Sequence, residues 1–371
     1  MSNVYIKTKI RSGSYAMEYL RKIRKKRILV VCDKFLAESG AIRYITDALD
    51  SSNTVDIFDQ AIPDPTIEVV GKGLSVICKV RPEIVISFGG GSAIDTAKGM
   101  IYFAGVRNLV PKPEFITIPT TSGTGSEVTS AAVITDSESK SKHLISSDDI
   151  LADVAILDPR LTLSVPPSIT ANTGMDVLTH ALEAYVANGS NVFSDALSEK
   201  AVELLIKALL QCYRDGKNLE ARTLMHEAST LAGMAFNTAG LGLNHSIAHQ
   251  LGGTFHIPHG LANAMLLDKV IDYNSVNHDI MNKYAGLAYK VRLVDMNEPP
   301  AMAVSAFKEL IRALMRCMEM PSSIRELGIS REAYEEQLQN MTDNALMDNC
   351  LAGNPREAGT EAIKKILLSI Y

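Results

Sequence analysis

The sequence predicts an α/β N-terminal domain with a parallel sheet, residues 1–162, followed by an all-α C-terminal domain, residues 163–371. Three observations carry that expectation. The chain has 371 residues, more than one hydrophobic core usually serves. As far as Leu157, short β-branched runs alternate with helical stretches, the pattern of parallel strands joined by crossover helices. Beyond Pro166-Pro167 the strand-like runs nearly vanish and long helical periodicities take over.

The elements follow in chain order. Strands are expected at Ile28–Cys32, Val55–Phe58, Ile84–Phe88, Phe115–Ile118 and Val154–Leu157, with helices at Ala41–Leu49, Ile67–Val80 and Ala93–Tyr102. In the second helix Val69, Val70, Leu74 and Ile77 recur at three and four residues, which turns one face onto the sheet. Asp158-Pro159 and Pro166-Pro167 disfavour helix in the residue before each proline and mark the domain boundary. Helical segments then include Ala171–Val186, Ser194–Arg214, Arg222–Ala239, Ser246–Gly253 and Ala301–Met318. An active site is expected in the cleft between the two domains.

Composition excludes several functions. Apolar residues make up 46% and charged residues 21%, and the net charge is −5, so nucleic acid is not an expected partner. The basic run from Arg21 to Arg27 reads as the end of a helix before the first convincing strand, where cations favour the helix dipole. No apolar run approaches the ~20 residues that span a bilayer, and Met1–Ile10 lacks the apolar core of a signal peptide. The five scattered cysteines predict reduced, mostly buried thiols in a cytoplasmic protein, and no cysteine is expected among the metal ligands.

Residues 84–98, IVISFGGGSAIDTAK, read as a buried strand, a glycine-rich turn and a helix start. Gly89, Gly90 and Gly91 would let the backbone approach a pyrophosphate, and Ser92 could cap a helix beginning at Ala93. The spacing is not G-x-G-x-x-G, and glycines needed only for a tight turn would look the same. Asp33 ends the strand KRILVVCD; it could accept hydrogen bonds from an adenosine ribose and repel a 2′-phosphate, or simply begin a turn. A second loop, TIPTTSGTGSEVTS, offers many hydroxyl and N–H donors, or is a solvated loop. Two such loops after parallel-type strands fit a dinucleotide, preferentially NAD(H), better than either alone.

The helical half carries a different chemistry. Asp176 and His180 stand four apart, on one face of a helix that Asn172 or Thr173 could cap. The run NHSIAHQLGGTFHIPHG adds His245, His249, His256 and His259, so five of the eight histidines are His180 or fall within this run. His245 and His249 share a helix face, Gly252 and Gly253 are expected to break that helix, and Pro258 lets the chain return with His259. Imidazoles plus a carboxylate suit Fe²⁺ or Zn²⁺ rather than a structural zinc. A hydrogen-bonded Asp–His pair with structural histidines is the plainer alternative. A metal beside a dinucleotide would act as a Lewis acid on an alcohol or carbonyl oxygen.

Taken together, GGGSAID, IPTTSGTGSEVT, DVAILDP, TGMDVLTHALEAY and AHQLGGTFHIPHGLAN resemble the iron-containing (group III) alcohol dehydrogenases over nearly the whole chain. Within that family, ITANTGMDVLTHALEA and LGLNHSIAHQLGG look most like the 1-propanol dehydrogenases of propanediol-degrading microcompartments. The resemblance implies an α/β dinucleotide-binding domain and a helical metal-binding domain. It implies a metal held by Asp176, His180, His245 and His259, with His249 as a proton-passing neighbour and His256 in a packing or hydrogen-bonding role. Gly90, Gly91 and Ser92 match the family's pyrophosphate loop, Thr120, Thr121 and Thr129 its second cofactor loop, Lys142 its cofactor-facing lysine, and Asp33 its NAD-associated acid.

Two positions depart from the family pattern. Asp64 in PDPT stands where many relatives carry Asn, touching the adenine side, and Asn244 stands where many carry Cys. The implied activity interconverts small aldehydes, propanal among them, and primary alcohols. The implied state is a homodimer or larger, cytoplasmic, with microcompartment shell proteins as further partners. A lactaldehyde/1,2-propanediol or butanol/ethanol dehydrogenase of the same family is the first alternative; a metal-dependent, NAD-using lyase and a non-catalytic nucleotide-binding module are the others.

Overall fold

The computed structural model describes residues 5–138 and 142–371; the first four positions of the Met1–Ile10 reading lie outside the described residues. Tyr5–Ser164 and Val165–Tyr371 form two compact units. The first holds strands β1 (Lys9–Ser12), β2 (Arg27–Asp33), β3 (Thr54–Ala61), β4 (Ile84–Gly89), β5 (Glu114–Pro119), β6 (Ala131–Thr135), β7 (Lys142–Ser146) and β8 (Val154–Leu157). Its helices are α1 (Lys34–Glu38), α2 (Arg43–Thr46), α3 (Ile67–Val80) and α4 (Gly91–Val106).

Six strands make one parallel sheet in the order β1-β8-β5-β4-β2-β3. Period-two alternation explains why both faces are covered. In β2, Ile28, Val30 and Cys32 enter one apolar cluster while Leu29 and Val31 enter another on the opposite face. α3 covers the second face with Val69, Val70 and Ile77 buried and Leu74 at the margin. Each such side chain contributes roughly 1.5–3 kcal/mol by leaving water.

The sequence reading omits β1 and the antiparallel β6–β7 pair. All four residues of β1 are exposed at the sheet edge, so no apolar run announces it. β7 buries none of its five residues, and β6 only two. The helix expected over 41–49 is one regular turn, α2, flanked by i→i+3 hydrogen bonds such as Tyr44 N to Ala41 O. Ser92 does not cap α4: that helix begins at Gly91 with Gly90 as N-cap, and Ser92 lies inside its first turn. Gly90, in extended conformation, makes the turn two residues earlier than a serine cap would.

The basic run is handled as a solvated surface. A short 3₁₀ helix, Ala16–Lys22, ends on Arg21 and Lys22, while Arg24 pairs with Asp50 at 3.1 Å and Lys26 with Glu83 at 2.9 Å. The thiols are less buried than expected. Cys32 and Cys212 are buried and Cys350 is intermediate, but Cys78 and Cys317 are exposed.

The second unit is helical: α5 (Pro167–Val186), α6 (Val192–Arg214), α7 (Leu219–Ala239), α8 (Leu243–Phe255), α9 (His259–Asn274), α10 (His278–Lys290), α11 (Pro300–Cys317), α12 (Arg331–Met347) and α13 (Thr360–Ser369). Its helices share an apolar core. α5 starts at Pro167, whose fixed φ suits the first helical position, so Asn172 and Thr173 are interior residues and not caps. α8 continues through Gly252-Gly253 and ends only where His256 takes the left-handed φ of 54°. Two glycines cost a helix about 1 kcal/mol each, whereas Pro258 cannot extend it. Among the described residues no helix is long and apolar enough to cross a membrane.

One buried cation ties α4 to the loop after β5. Lys98 is fully buried and donates to Ser126 Oγ (3.0 Å), Thr129 O (2.7 Å), Thr129 Oγ1 (3.1 Å) and Ala131 O (2.7 Å). Ser126 Oγ in turn donates to Asp95 Oδ1 at 2.6 Å. Burial lowers the Lys98 ammonium to about 8 although Asp95 and Glu127 pull it upward. Lys98→Met leaves these acceptors without a donor and the Asp95 charge uncompensated. It is expected to destabilise the protein by on the order of 3–5 kcal/mol, read as a fall in the urea midpoint.

Candidate metal centre

Asp176 and His180 sit one turn apart on α5, His245 lies in the first turn of α8, and His259 is the first residue of α9. Three separate helices therefore deliver the four side chains, and one donor atom from each lies within 4.8 Å of all the others. Asp176 Oδ1 is 3.4 Å from His259 Nε2, 3.9 Å from His245 Nε2 and 4.0 Å from His180 Nε2. His259 is exposed and the other three are buried, so the group opens on one side only.

Backbone proximity makes this convergence. A Cβ on Gly260 would lie 1.9 Å from the carbonyl oxygen of Asn172, so only glycine lets the start of α9 press against α5. That contact sets His259 beside Asp176. Around the donors, His180 stacks between Phe236 and His245 at centroid distances of 4.5 and 4.7 Å.

Further carboxyl and amide groups hold the imidazoles. Glu183, one turn beyond His180 on α5, takes His245 Nδ1 at 2.5 Å through Oε2 and the Asn244 N–H at 2.7 Å through Oε1. A proton shared on that side leaves His245 Nε2 with its lone pair toward the centre, the tautomer a metal ligand needs. Burial pushes the Glu183 carboxyl up to about 7 against its backbone hydrogen bonds. Burial and the neighbouring imidazoles hold His245 well below the usual histidine range. For Asp176 burial acts upward, but the three histidines and Asn263 outweigh it and keep the carboxylate ionised.

Asn263, one turn into α9, points its amide nitrogen at the same spot: 2.8 Å from Asp176 Oδ1 and 3.2 Å from both His245 Nε2 and His259 Nε2. Its amide oxygen accepts from Asn244 Nδ2 at 2.9 Å, which fixes the orientation. An N–H donor surrounded by three acceptors shows that these lone pairs converge. One carboxylate and three imidazoles converging in this way fit a divalent transition metal.

His249, one turn after His245 on α8, stays outside the four. Its Nδ1 meets Asp348 Oδ2 at 2.8 Å and its ring stacks on His259 at 5.5 Å. Asp348 also accepts from the Cys350 N–H through Oδ1 at 2.8 Å. His256 is exposed and serves as the helix C-cap.

The glycine turn and the threonine loop lie together in the first unit. Gly89, at φ 151°, accepts from the Thr120 N–H at 3.1 Å, and a Cβ there would lie 2.7 Å from Ala93 Cβ. A Cβ on Gly90 or Gly91 would meet Thr121 or Thr124 at 3.1 or 2.7 Å. Thr120 and Thr121 are half-buried at this junction, and Ser92, in the first turn of α4, is half-buried as well. Thr129 instead is buried beneath, bound to Lys98. Asp33 caps α1 by accepting from Leu36 N at 2.8 Å, the turn role open to a strand-terminal Asp, and its second oxygen stays near Gly89. Asp64 and Lys142 form an exposed ion pair at 2.6 Å.

Sequence reasoning did not name Glu183, Asn263 or Asp348 as parts of the site. Two of them carried a signal: Glu183 is seven residues beyond Asp176 and Asn263 four beyond His259, both same-face spacings. Asp348 is 99 residues from His249, and no local pattern links them.

Known proteins resemble the chain across nearly its full length. The iron-containing alcohol dehydrogenase family model matches residues 7–159, and the C-terminal model of the Fe-containing alcohol dehydrogenase family matches residues 170–371. The 1-propanol dehydrogenase of Citrobacter freundii is 44% identical over 368 residues, 99% of either chain. The NADPH-dependent butanol dehydrogenase of Clostridium saccharobutylicum is 36% identical, over 97% of this chain and 95% of that protein. A crystal structure of a 1,3-propanediol oxidoreductase superposes with a TM-score of 0.92 at 34% identity, covering all of each chain.

Two substitutions test how the centre is held. Glu183→Gln keeps the shape but weakens the grip on His245, and metal affinity is expected to fall about 10- to 100-fold in equilibrium dialysis. Gly260→Ala drives α9 away from α5, and metal per chain after loading is expected to drop while helix content by circular dichroism stays.

Proposed function

The chain belongs to the iron-containing alcohol dehydrogenase family, and on that premise we propose that it interconverts short aldehydes, propanal above all, and primary alcohols with NAD(H). The observation that carries the reading is the convergence of Asp176, His180, His245 and His259 from three helices. These four residues hold a divalent metal, Fe²⁺ in this reading and Zn²⁺ as the competitor that the same donors accept. When bound, the metal supplies Lewis-acid polarisation of a carbonyl or alcohol oxygen, and the nicotinamide supplies or takes the hydride.

The residues of the chain do the rest. Gly89, Gly90, Gly91 and Ser92 present bare backbone for a pyrophosphate, and Thr120 and Thr121 add hydroxyl donors beside it. Asp33 keeps one carboxylate oxygen for a ribose hydroxyl and repels a 2′-phosphate, which favours NAD(H) over NADP(H). Thr129 supports its loop from below through Lys98, and the Asp64–Lys142 pair borders the adenine side. His249, with Nδ1 turned to Asp348, has Nε2 left to pass the alcohol proton to solvent. Propanal as substrate rests on likeness to the 1-propanol dehydrogenase. A cytoplasmic homodimer or larger assembly, inside a microcompartment, belongs to the same proposal.

The test is NADH oxidation by propanal with protein purified anaerobically and loaded with Fe²⁺, compared with NADPH, Zn²⁺ and lactaldehyde. Rapid NADH loss that stops on chelation is the expected result. Inactivity toward every short aldehyde with either nicotinamide overturns it. His259→Ala is expected to abolish metal retention and turnover while NADH binding remains measurable by fluorescence; full activity in that variant removes His259 from the ligand set.

A further inference from the structure

Beside the four-residue centre lies a second group of metal-ligand chemistry that the proposed reaction does not use as such. One donor atom each from His249, Asp348 and Cys350 lies within 4.8 Å of the others. We propose that these three side chains form a second divalent-cation site, selective for a thiophilic metal such as Zn²⁺ or Co²⁺.

Local structure prepares the three residues. His249 sits in the middle of α8, and Asp348 follows the last residue of α12. Asp348 divides its carboxylate: Oδ1 accepts from the Cys350 N–H at 2.8 Å and caps the 3₁₀ turn Asn349–Gly353, while Oδ2 faces His249 at 2.8 Å. The turn therefore places the Cys350 side chain two residues beyond a carboxylate already aimed at an imidazole. All three residues are half-buried. The His249 and Asp348 side chains keep 29% and 15% of their exposure, enough for an ion to arrive from solvent.

The donor set decides the ion. One nitrogen, one oxygen and one sulfur suit zinc or cobalt and not Mg²⁺ or Ca²⁺, and three protein ligands leave a fourth position for water. Binding forms a metal–sulfur bond as the Cys350 S–H bond breaks, and that proton leaves to solvent. Metal bonds to His249 Nδ1 and Asp348 Oδ2 replace the hydrogen bond between them, the Nδ1 proton leaving to solvent while Nε2 takes one up, so the ring stays neutral. No electron changes hands.

Occupancy has a functional consequence that rests on the proposed role of His249. Its ring lies 5.5 Å from that of His259, so an ion here sits beside the first centre and takes His249 away from proton transfer. Excess zinc then slows turnover without displacing iron.

The experiment uses the iron-loaded enzyme, titrated anaerobically with Co²⁺. A thiolate-to-cobalt charge-transfer absorbance is expected to rise and saturate at one added cobalt per chain with iron retained. The first centre holds no sulfur and cannot produce that band. In Cys350→Ser the band is expected to vanish, with iron content and metal-free-buffer turnover unchanged, and inhibition by Zn²⁺ is relieved. Absence of the band, or a band equally strong in Cys350→Ser and so due to exposed Cys78 or Cys317, overturns the site. Loss of aldehyde reduction in the unsubstituted protein would count against the proposed function alone, since the cobalt band does not depend on turnover.

Discussion

A carboxylate without water is the constraint around which the helical unit is arranged. Asp176 is nearly fully buried on α5 and remains ionised, a state that costs several kcal/mol unless opposite charge or strong donors surround it. The surroundings are three imidazoles and the Asn263 amide, brought by α5, α8 and α9. Three of those four groups are themselves held: His245 by Glu183, Asn263 by Asn244, and His180 between two flat rings. A donor set with this much support keeps its geometry before any ion arrives, which is how a protein obtains affinity without reorganising at the moment of binding.

The α/β unit solves a related problem by other means. The parts proposed to face a cofactor are backbone, kept bare by glycine, and backbone conformations of that kind do not hold themselves. Lys98 supplies the support from inside, with its ammonium spread over three acceptors in the loop after β5 and a fourth at the first residue of β6. Thr129 shows how the two roles divide. It belongs to the hydroxyl-rich loop, but its side chain faces inward to Lys98, while Thr120 and Thr121 meet the glycine turn.

Much of this was legible because the relevant signals are local. The spacing of Asp176 and His180 fixes a shared helix face whatever surrounds the helix, and Ile67–Val80 was readable to the residue from its three–four periodicity. Other expectations failed where local preference met a stronger competitor. Gly252 and Gly253 were read as a helix break, but the packed helix carries them on to Phe255. Ser92, Asn172 and Thr173 were read as caps, yet glycine and proline upstream start those helices earlier. The exposed edge strand β1 has no apolar pattern to read, since its pairing with β8 is the whole reason it is a strand.

By itself the sequence determined the two fold classes, the glycine turn and the four metal-ligand candidates, because periodicity, glycine content and i,i+4 spacing act over a single turn or strand. Only the tertiary structure decided which groups meet across distance. Asp348 reaches His249 from 99 residues away, and Glu183 turns its two oxygens to the Asn244 backbone N–H and the His245 imidazole on another helix. The approach of α9 to α5 at Gly260 is of the same kind. Such contacts depend on how helices pack, and packing is set by the shapes of whole faces rather than by any short run of residues.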